Sequence, residues 1–267
     1  MTVKSAATGI ITISALVGNA PYSAPPPVTG YKLWLDASVA SSIISTNGAV
    51  GQWSDLSGNG YHFYQGTATN QPTTGTRKIN NKNVIEFNGS SRMANPTASN
   101  FTFMHTSGGA STFVVGFRDT SSSGNVLLDN SGGSSSSIGY YLGTNASDLS
   151  GVLVVTGAGG PTAVTQLSGP TVTDNTAFYI TALTDPANAT AANRSYISVN
   201  AGAYTQGNVQ TTTPSASAPT YTMMIGDVNT PGSGWDGTIA EILIYPSKLS
   251  AGDVTSVKSY LAAKWAI

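Results

Sequence analysis

The segment from Thr238 to Tyr245 constrains the fold of this chain more than any other part of the sequence. Its residues are almost all apolar, β-branched or aromatic, and Gly237 and Pro246 bound it on either side. This pattern is typical of a strand that is buried on both faces of a sheet. Strict alternation along the strand predicts that Ile239 shares one face with Glu241.

A short helix is predicted directly after this strand. Ser250 and Asp253 have the spacing of a capping box with Asp in place of Glu. Lys258 and Lys264 lie towards the end of the same segment, where a positive charge complements the helix dipole. Apolar residues then recur at helical intervals, namely Val254, Val257, Tyr260 and Leu261.

Short apolar runs separated by Gly, Asn, Pro and Ser clusters recur throughout residues 31–245. Many short strands without an intervening helical pattern favour a two-sheet sandwich. The predicted strands are Lys32–Leu35, Val50–Trp53, Tyr61–Tyr64, Val84–Phe87, Ser111–Phe117, Val126–Leu128, Ile138–Leu142, Val152–Val155, Phe178–Leu183, Tyr196–Val199, Met223–Ile225 and Thr238–Tyr245.

Motifs at both ends of residues 30–267 resemble those of the laminin-G-like, or concanavalin A-like, jelly-roll family. They are LWLDAS from Leu33 to Ser38, DLSGNG from Asp55 to Gly60, DGTIAEILIY from Asp236 to Tyr245, and YLAAKW from Tyr260 to Trp265. The resemblance implies an all-β fold, a two-sheet antiparallel jelly-roll sandwich over residues 28–267 with one short C-terminal helix.

Residues 1–27 are predicted to form a separate N-terminal arm with a Pro-rich spacer. Pro25-Pro26-Pro27 is a stiff spacer. Before it, apolar residues at every second position predict a strand with one mostly apolar face. The arm either pairs with a neighbouring subunit or folds back over an edge of its own sandwich; the same residues also have features of a secretory signal peptide. The residues predicted to contact a partner are Ile11, Ile13, Ala15 and Val17.

The composition excludes several classes of function. Only 9% of the residues are charged and the net charge is −1, which disfavours nucleic-acid binding because phosphate neutralisation needs a basic face. The chain has no cysteine, so disulfides and thiolate chemistry are excluded. No window of about 18 consecutive apolar residues occurs, and we therefore expect no membrane span.

The acidic and histidine residues predict that the protein is not an enzyme. A retaining glycosidase needs two carboxyl groups about 5–5.5 Å apart, whereas Glu86 and Glu241, the only glutamates, each stand alone among apolar neighbours. His62 and His105 lie within apolar or aromatic runs, where a packed histidine is expected rather than a catalytic base.

Calcium is the one cofactor that the sequence leaves open. Asp227, Asn229 and Asp236 flank one glycine-rich loop, and carboxylate and amide oxygens are suitable Ca²⁺ ligands. Asp55 and Asn59 flank another, although that segment is also an excellent turn in which the side chains bond their own backbone. The main expectation is that no metal is bound.

A sugar site needs an exposed aromatic ring together with planar polar side chains. Tyr140, Tyr141 and Trp235 are the candidates for glycan contact. Alternation predicts that one of the two tyrosines points into the core and the other outwards.

Two functions are compatible with these observations. The first is a structural or interaction protein of a virion, such as a phage capsid decoration protein, head fibre or tail adhesin, anchored to neighbouring subunits by the arm. It follows from the arm, the low charge and the resemblance to jelly rolls of phage structural proteins. The alternative is a secreted, lectin-like module that binds cell-surface glycans.

Overall fold

The computed structural model describes residues 24–106, 108–119, 126–133, 137–144, 152–157, 169–206, 215–229 and 232–267. These residues form sixteen strands and one α-helix. In chain order the elements are β1 (Leu33–Asp36), β2 (Ile43–Thr46), β3 (Ala49–Trp53), β4 (Phe63–Tyr64), β5 (Thr73–Ile79), β6 (Lys82–Asn88), β7 (Met93–Asn95), β8 (Ala110–Arg118), β9 (Val126–Asp129), β10 (Gly139–Thr144), β11 (Val152–Gly157), β12 (Thr176–Thr184), β13 (Ser195–Val199), β14 (Thr205–Gln206), β15 (Met223–Ile225), β16 (Asp236–Tyr245) and α1 (Ala251–Trp265). Short 3-10 helices cover Ala40–Ser42, Ala68–Asn70, Ala98–Met104 and Ala191–Asn193.

The strands pair antiparallel and form the two layers of a jelly-roll sandwich. One layer, here called the open layer, has the order β11-β10-β9-β15-β7-β4-β3-β2. The other, the helix layer, has the order β5-β6-β16-β8-β12-β13-β14, with β1 paired to β16 next to β6. The pairing of Ala49 with Thr73 connects β3 of the open layer to β5 of the helix layer. The predicted all-β sandwich with a C-terminal helix is thus confirmed.

Two apolar clusters hold these layers together. The larger lies between the two layers and includes the fully buried Trp53, Tyr140 and Trp235. The smaller lies between the helix layer and α1, where Val257 and Trp265 of the helix pack with side chains of β8 and β16. Strand β16 therefore contributes to both clusters, as expected for a strand covered on both faces.

A β-bulge interrupts the alternation of β16. The register against β8 shifts between Ile239 and Glu241, so Ala240 has no partner in that ladder. As a result Ile239 points into the core between the layers, and Ala240 packs on the helix side. The prediction that Ile239 shares a face with Glu241 is wrong, because an extra residue changes the phase of alternation.

The remaining elements largely agree with the prediction. All the predicted strands are present, with ends that lie within about two residues of the predicted ones. The helix begins as expected, since the Ser250 hydroxyl accepts a hydrogen bond from the backbone N–H of Asp253 at 3.2 Å. Strands β2, β5, β7 and β14 were not predicted from the sequence.

The predicted arm contacts Ile11, Ile13, Ala15 and Val17 lie outside the described residues. The described chain enters the sandwich through the proline spacer, in which Pro26 is buried. Soon after it, the carbonyl of Val28 accepts a hydrogen bond from the Tyr245 hydroxyl at 2.9 Å. Among the residues described, no helix has the length and hydropathy to cross a membrane.

Candidate functional site

A single row of partnered residues crosses the outer face of the open layer. Directly paired residues of neighbouring antiparallel strands point to the same side of a sheet. The strands of this row therefore present their side chains together, away from the core. From β10 to β2 its members are Tyr141, Asp129, Met224, Ala94, Tyr64, Gln52 and Ile44.

One end of the row is open to solvent. Ile44 is 57% exposed and Tyr64 is 41% exposed, and both are among the most exposed large apolar side chains of the described chain. The ring of His62 meets the ring of Tyr64 edge-on, with 6.2 Å between their centroids. Gln52 lies between Ile44 and Tyr64, and its Nε2 donates to the Ser54 hydroxyl at 2.9 Å. This end therefore combines an exposed aromatic ring with a planar amide.

The other end of the row carries charges. We call Arg92, Asp129, Tyr141 and Asp227 the outer-face cluster. Asp129 is fully buried, and its carboxylate accepts hydrogen bonds from the backbone N–H groups of Ser131 and Gly132, both at 2.9 Å. Burial raises the pKa of Asp129, and these hydrogen bonds lower it in part.

Asp227 is the incompletely paired member of the outer-face cluster. Its Oδ1 accepts from the backbone N–H groups of Val228 at 2.8 Å and Ser233 at 3.1 Å. Its Oδ2 is buried and has no hydrogen-bond partner, and the nearest cation, Nη1 of Arg92, lies 3.7 Å away. The pKa of the Tyr141 hydroxyl is raised by burial and by the carboxylates of Asp129 and Asp227. The cluster thus holds a buried acceptor without a donor.

A second group of charges lies under α1, and we call it the inner network. Glu241 and Asp36 are paired across β16 and β1, and Nζ of Lys264 donates to both, at 2.7 Å and 2.6 Å. Glu241 also accepts from the indole N–H groups of Trp34 at 3.0 Å and Trp265 at 2.7 Å. Burial raises the pKa of Glu241, while Lys264 lowers it in part.

The inner network is closed. Both carboxylates are fully buried, and the oxygens of Glu241 accept from four donors, the fourth being the Tyr260 hydroxyl at 2.9 Å. Hydrolysis of a glycoside needs the scissile bond of the sugar to lie between two carboxyl groups, and here Nζ of Lys264 bonds to both of them instead. The sequence analysis missed this carboxylate pair because Asp36 and Glu241 are brought together only by the pairing of β1 with β16, at opposite ends of the chain. A signal was present, since every member lies within the motifs that resemble the jelly-roll family.

Two of the predicted glycan contacts are corrected by the structure. Tyr140 and Trp235 are both fully buried between the layers, so neither ring offers a surface to a sugar. Tyr141 points outwards, which confirms that the two tyrosines lie on opposite faces. Tyr64, which ends the predicted strand Tyr61–Tyr64, was not proposed as a glycan contact from the sequence, and the structure leaves its ring exposed.

The calcium candidates are not gathered into a cluster. Asn229 bonds to Thr222 through both its side-chain atoms, at 3.2 Å and 3.0 Å, and Asp236 begins β16 opposite Asn88. Asp55 accepts from the backbone N–H of Ser57 at 2.9 Å, in the turn predicted for it. The structure, where it is described, brings no three His, Cys, Asp or Glu side chains together as metal ligands. The expectation of no bound metal, with calcium as the alternative that the sequence leaves open, stays a prediction.

Both histidines are packed in the way their neighbours predict. Nδ1 of His62 accepts from the backbone N–H of Asp55 at 3.0 Å. His105 is buried, Nε2 lies 3.0 Å from the carbonyl of Ser217, and burial lowers its pKa.

Comparison with known proteins supports the fold. No family model matches this chain, and no curated protein sequence matches it. Domain 4 of AbnA, a GH43 extracellular arabinanase from Geobacillus stearothermophilus solved with arabinotriose, aligns with a TM-score of 0.56 at 14% identity over 85% of this chain and 98% of that domain. Trypanosoma rangeli sialidase in complex with sialic acid aligns with a TM-score of 0.55 at 14% identity over 90% of this chain, which spans only 34% of the sialidase.

A third similar structure is the CBM40 of Ruminococcus gnavus IT-sialidase bound to α2,3-sialyllactose. It has a TM-score of 0.52 and 14% identity, covering 66% of this chain and 95% of that module. At this level of identity the likeness establishes a β-sandwich of the jelly-roll kind found in carbohydrate-binding domains. A shared fold does not establish a shared function, because the same fold hosts many different sites.

Proposed function

We propose that this chain is a carbohydrate-binding domain that takes a neutral saccharide on the outer face of the open layer. The observation that carries the proposal is the row of partnered residues across the open layer, which aligns the exposed ring of Tyr64 with Gln52 and with Asp129 of the outer-face cluster. Binding sites of this type combine apolar or aromatic contact with a few placed polar groups. The unpartnered Oδ2 of Asp227 is an acceptor suited to a sugar hydroxyl.

The charge of the cluster favours a neutral sugar over an acidic one. Asp129 and Asp227 are two carboxylates and Arg92 is the only cation of the cluster, so an added carboxylate would meet net negative charge. Unpaired like charges held close together are unfavourable in a partly buried site. The similar structures were solved with arabinotriose and with sialylated ligands, and arabino-oligosaccharides are therefore the better first probe.

Other features of the structure bear on two alternatives. The carboxylate pair of the inner network, Asp36 with Glu241, is closed by Lys264 and by two indoles, which supports binding rather than hydrolysis. The virion role with subunit partners stays a prediction, since the arm on which it depends lies outside the described residues. Secretion and virion location are likewise predictions.

The proposal is tested by calorimetry and glycan-array binding with the full chain. We expect arabino-oligosaccharides to bind more tightly than sialyllactose. Tyr64→Ala should lower the affinity for the neutral saccharide about tenfold or more, which corresponds to about 1.4 kcal/mol. The matched control is Tyr204→Ala, because Tyr204 is also exposed, at 37%, but lies on the helix layer.

Two results would contradict the proposal. One is neutral saccharide binding that is unchanged in Tyr64→Ala and in Arg92→Met. The other is a preference for sialyllactose that Arg92→Met leaves intact.

A further inference from the structure

A cavity of about 280 Å³ lies on the other side of the molecule, between α1 and the last strands of the helix layer. Its apolar walls are Leu183, Leu249 and Val254. This volume is slightly below the range of about 300–1,000 Å³ that is typical of pockets for drug-sized ligands. The cavity is therefore suited to a ligand of about one ring.

Two tyrosines in contact with each other line this cavity. The rings of Tyr196 and Tyr204 meet edge-on, with 6.1 Å between their centroids. Nζ of Lys248 lies 4.1 Å from the centroid of the Tyr196 ring, and Nζ of Lys258 lies 5.0 Å from that of Tyr204. The two ammonium groups thus flank the tyrosine pair, one at each ring.

No acid among the described residues neutralises either of these lysines. Nζ of Lys258 donates to the hydroxyl of Ser198 at 3.1 Å, and no carboxylate of the described chain lies within salt-bridge distance of either ammonium group. Burial lowers the pKa of Lys258, and no acid offsets that effect. All the residues that line the cavity are apolar, neutral or basic. It therefore presents two positive charges above aromatic rings in a confined volume.

We propose that this cavity binds an acidic sugar residue, a single ring that carries a carboxylate or a sulfate. Lys248 and Lys258 hold the oxyanion, and the exposed ring of Tyr204 contacts the sugar ring. This site is separate from the proposed saccharide site on the open layer: it lies on the opposite layer and takes an anionic sugar rather than a neutral one.

The test measures binding of glucuronic acid, glucose 6-sulfate, glucose and inorganic sulfate to the full chain by calorimetry or NMR. We expect at least one of the two acidic sugars to bind at least tenfold more tightly than glucose and than inorganic sulfate. The tighter of the two identifies the preferred anion. Lys258→Met and Lys248→Met should each lower that affinity about tenfold or more, as expected for loss of a charge-assisted contact.

Controls separate binding from folding. Lys258→Arg keeps the charge and should retain most of the affinity, whereas Lys78→Met removes a charge from an exposed position of β5 and should change nothing. Tyr204→Ala should weaken the acidic sugar only, and Tyr64→Ala the neutral saccharide only, so that either proposal can fail without the other.

The inference is overturned if glucose binds as tightly as both acidic sugars, or if inorganic sulfate does. It is also overturned if folded Lys248→Met and Lys258→Met proteins bind the acidic sugars as well as the unmodified chain does.

Discussion

The inner network and the outer-face cluster contain the same charges in different arrangements. In the inner network, Lys264 joins Asp36 and Glu241 at 2.6 Å and 2.7 Å. In the outer-face cluster, Arg92 lies 3.7 Å from Asp227, and a second carboxylate lies nearby on β9. The first set is sealed by indoles and the second leaves a buried acceptor without a donor.

This difference indicates a division of roles. A buried ion pair with every acceptor satisfied fixes the relative position of the elements that supply it, and here those elements are β1, β16 and α1. An unsatisfied buried acceptor lowers stability, and it calls for a water, an ion or another group that completes its hydrogen bonding. The inner network therefore docks the helix, and the outer-face cluster is the place to look for a ligand.

Removal of the cation should distinguish the two clusters most clearly, because its effect on the free energy of unfolding differs most between them. Lys264→Met leaves two carboxylates buried without a counter-ion, and we expect the free energy of unfolding at neutral pH to fall by about 3–5 kcal/mol. Denaturant unfolding monitored by fluorescence measures this loss. Part of the stability should return as the pH is lowered, because protonation relieves the unpaired charges.

The matched variant in the other cluster is Arg92→Met. Its guanidinium is partly exposed, and the buried carboxylate of Asp227 keeps two backbone N–H donors without it, so we expect the free energy of unfolding to fall by only about 1 kcal/mol, less than in Lys264→Met. Equal losses in the two variants would refute the division of roles.

Trp265→Phe should have an intermediate effect. The substitution keeps an aromatic ring against the helix layer but removes the N–H that donates to Glu241 at 2.7 Å. Loss of a hydrogen bond to a buried charged group is worth about 1.5–3 kcal/mol. Thermal unfolding checks this value, and Trp235→Phe serves as a control because its N–H donates at 3.3 Å to the neutral carbonyl of Thr238. A larger loss in the control would show that packing rather than the network dominates.

The free energy of unfolding should depend on pH through the titration of Glu241. Its pKa is raised in the fold, chiefly by burial, so the folded protein holds this proton at pH values where the unfolded chain has lost it. Stability from this group is therefore present below the ordinary pKa of 4.5 and is lost as pH rises through the raised pKa. A tenfold difference in proton affinity between the folded and unfolded chains corresponds to about 1.4 kcal/mol.

Unfolding curves recorded from pH 4 upwards for the unmodified chain and for Glu241→Gln test this expectation. The unmodified chain should lose stability relative to Glu241→Gln as the pH rises. Parallel curves at all pH values would contradict it.

The sequence predicted the strands with long apolar runs, and the four strands that it missed are short or mostly polar. Thr238–Tyr245 was recognisable because burial on both faces demands apolar residues at every position. Strand β5, with the sequence TTGTRKI, was missed because it is mostly exposed and is held by its ladder to β6. Hydrophobic periodicity carries no information about strands of this kind.

The sites were less predictable than the fold, because each depends on register between distant strands. Alternation alone predicted that Tyr140 and Tyr141 lie on opposite faces, but it could not show that Tyr141, Asp129 and Tyr64 lie in one row. The bulge at Ala240 shows the same limit on a smaller scale, since one unpaired residue reversed the predicted face of Ile239.

The smallest expected change in stability, with a large change in binding, is that of Asp227→Asn. Oδ1 of Asp227 accepts from two backbone N–H groups, and Asn retains a carbonyl oxygen to do so. The substitution replaces the unpartnered Oδ2 with an amide group, which removes a buried charge and places a donor there, so stability should change by less than about 1 kcal/mol in either direction. The affinity for the neutral saccharide should nevertheless fall about tenfold, because the charged acceptor for its hydroxyl is lost. Both quantities are measured on the same preparation. A fall of several kcal/mol in the free energy of unfolding would show that Asp227, like Glu241, has a structural role. An unchanged affinity for the neutral saccharide would show that Asp227 is not part of the sugar site.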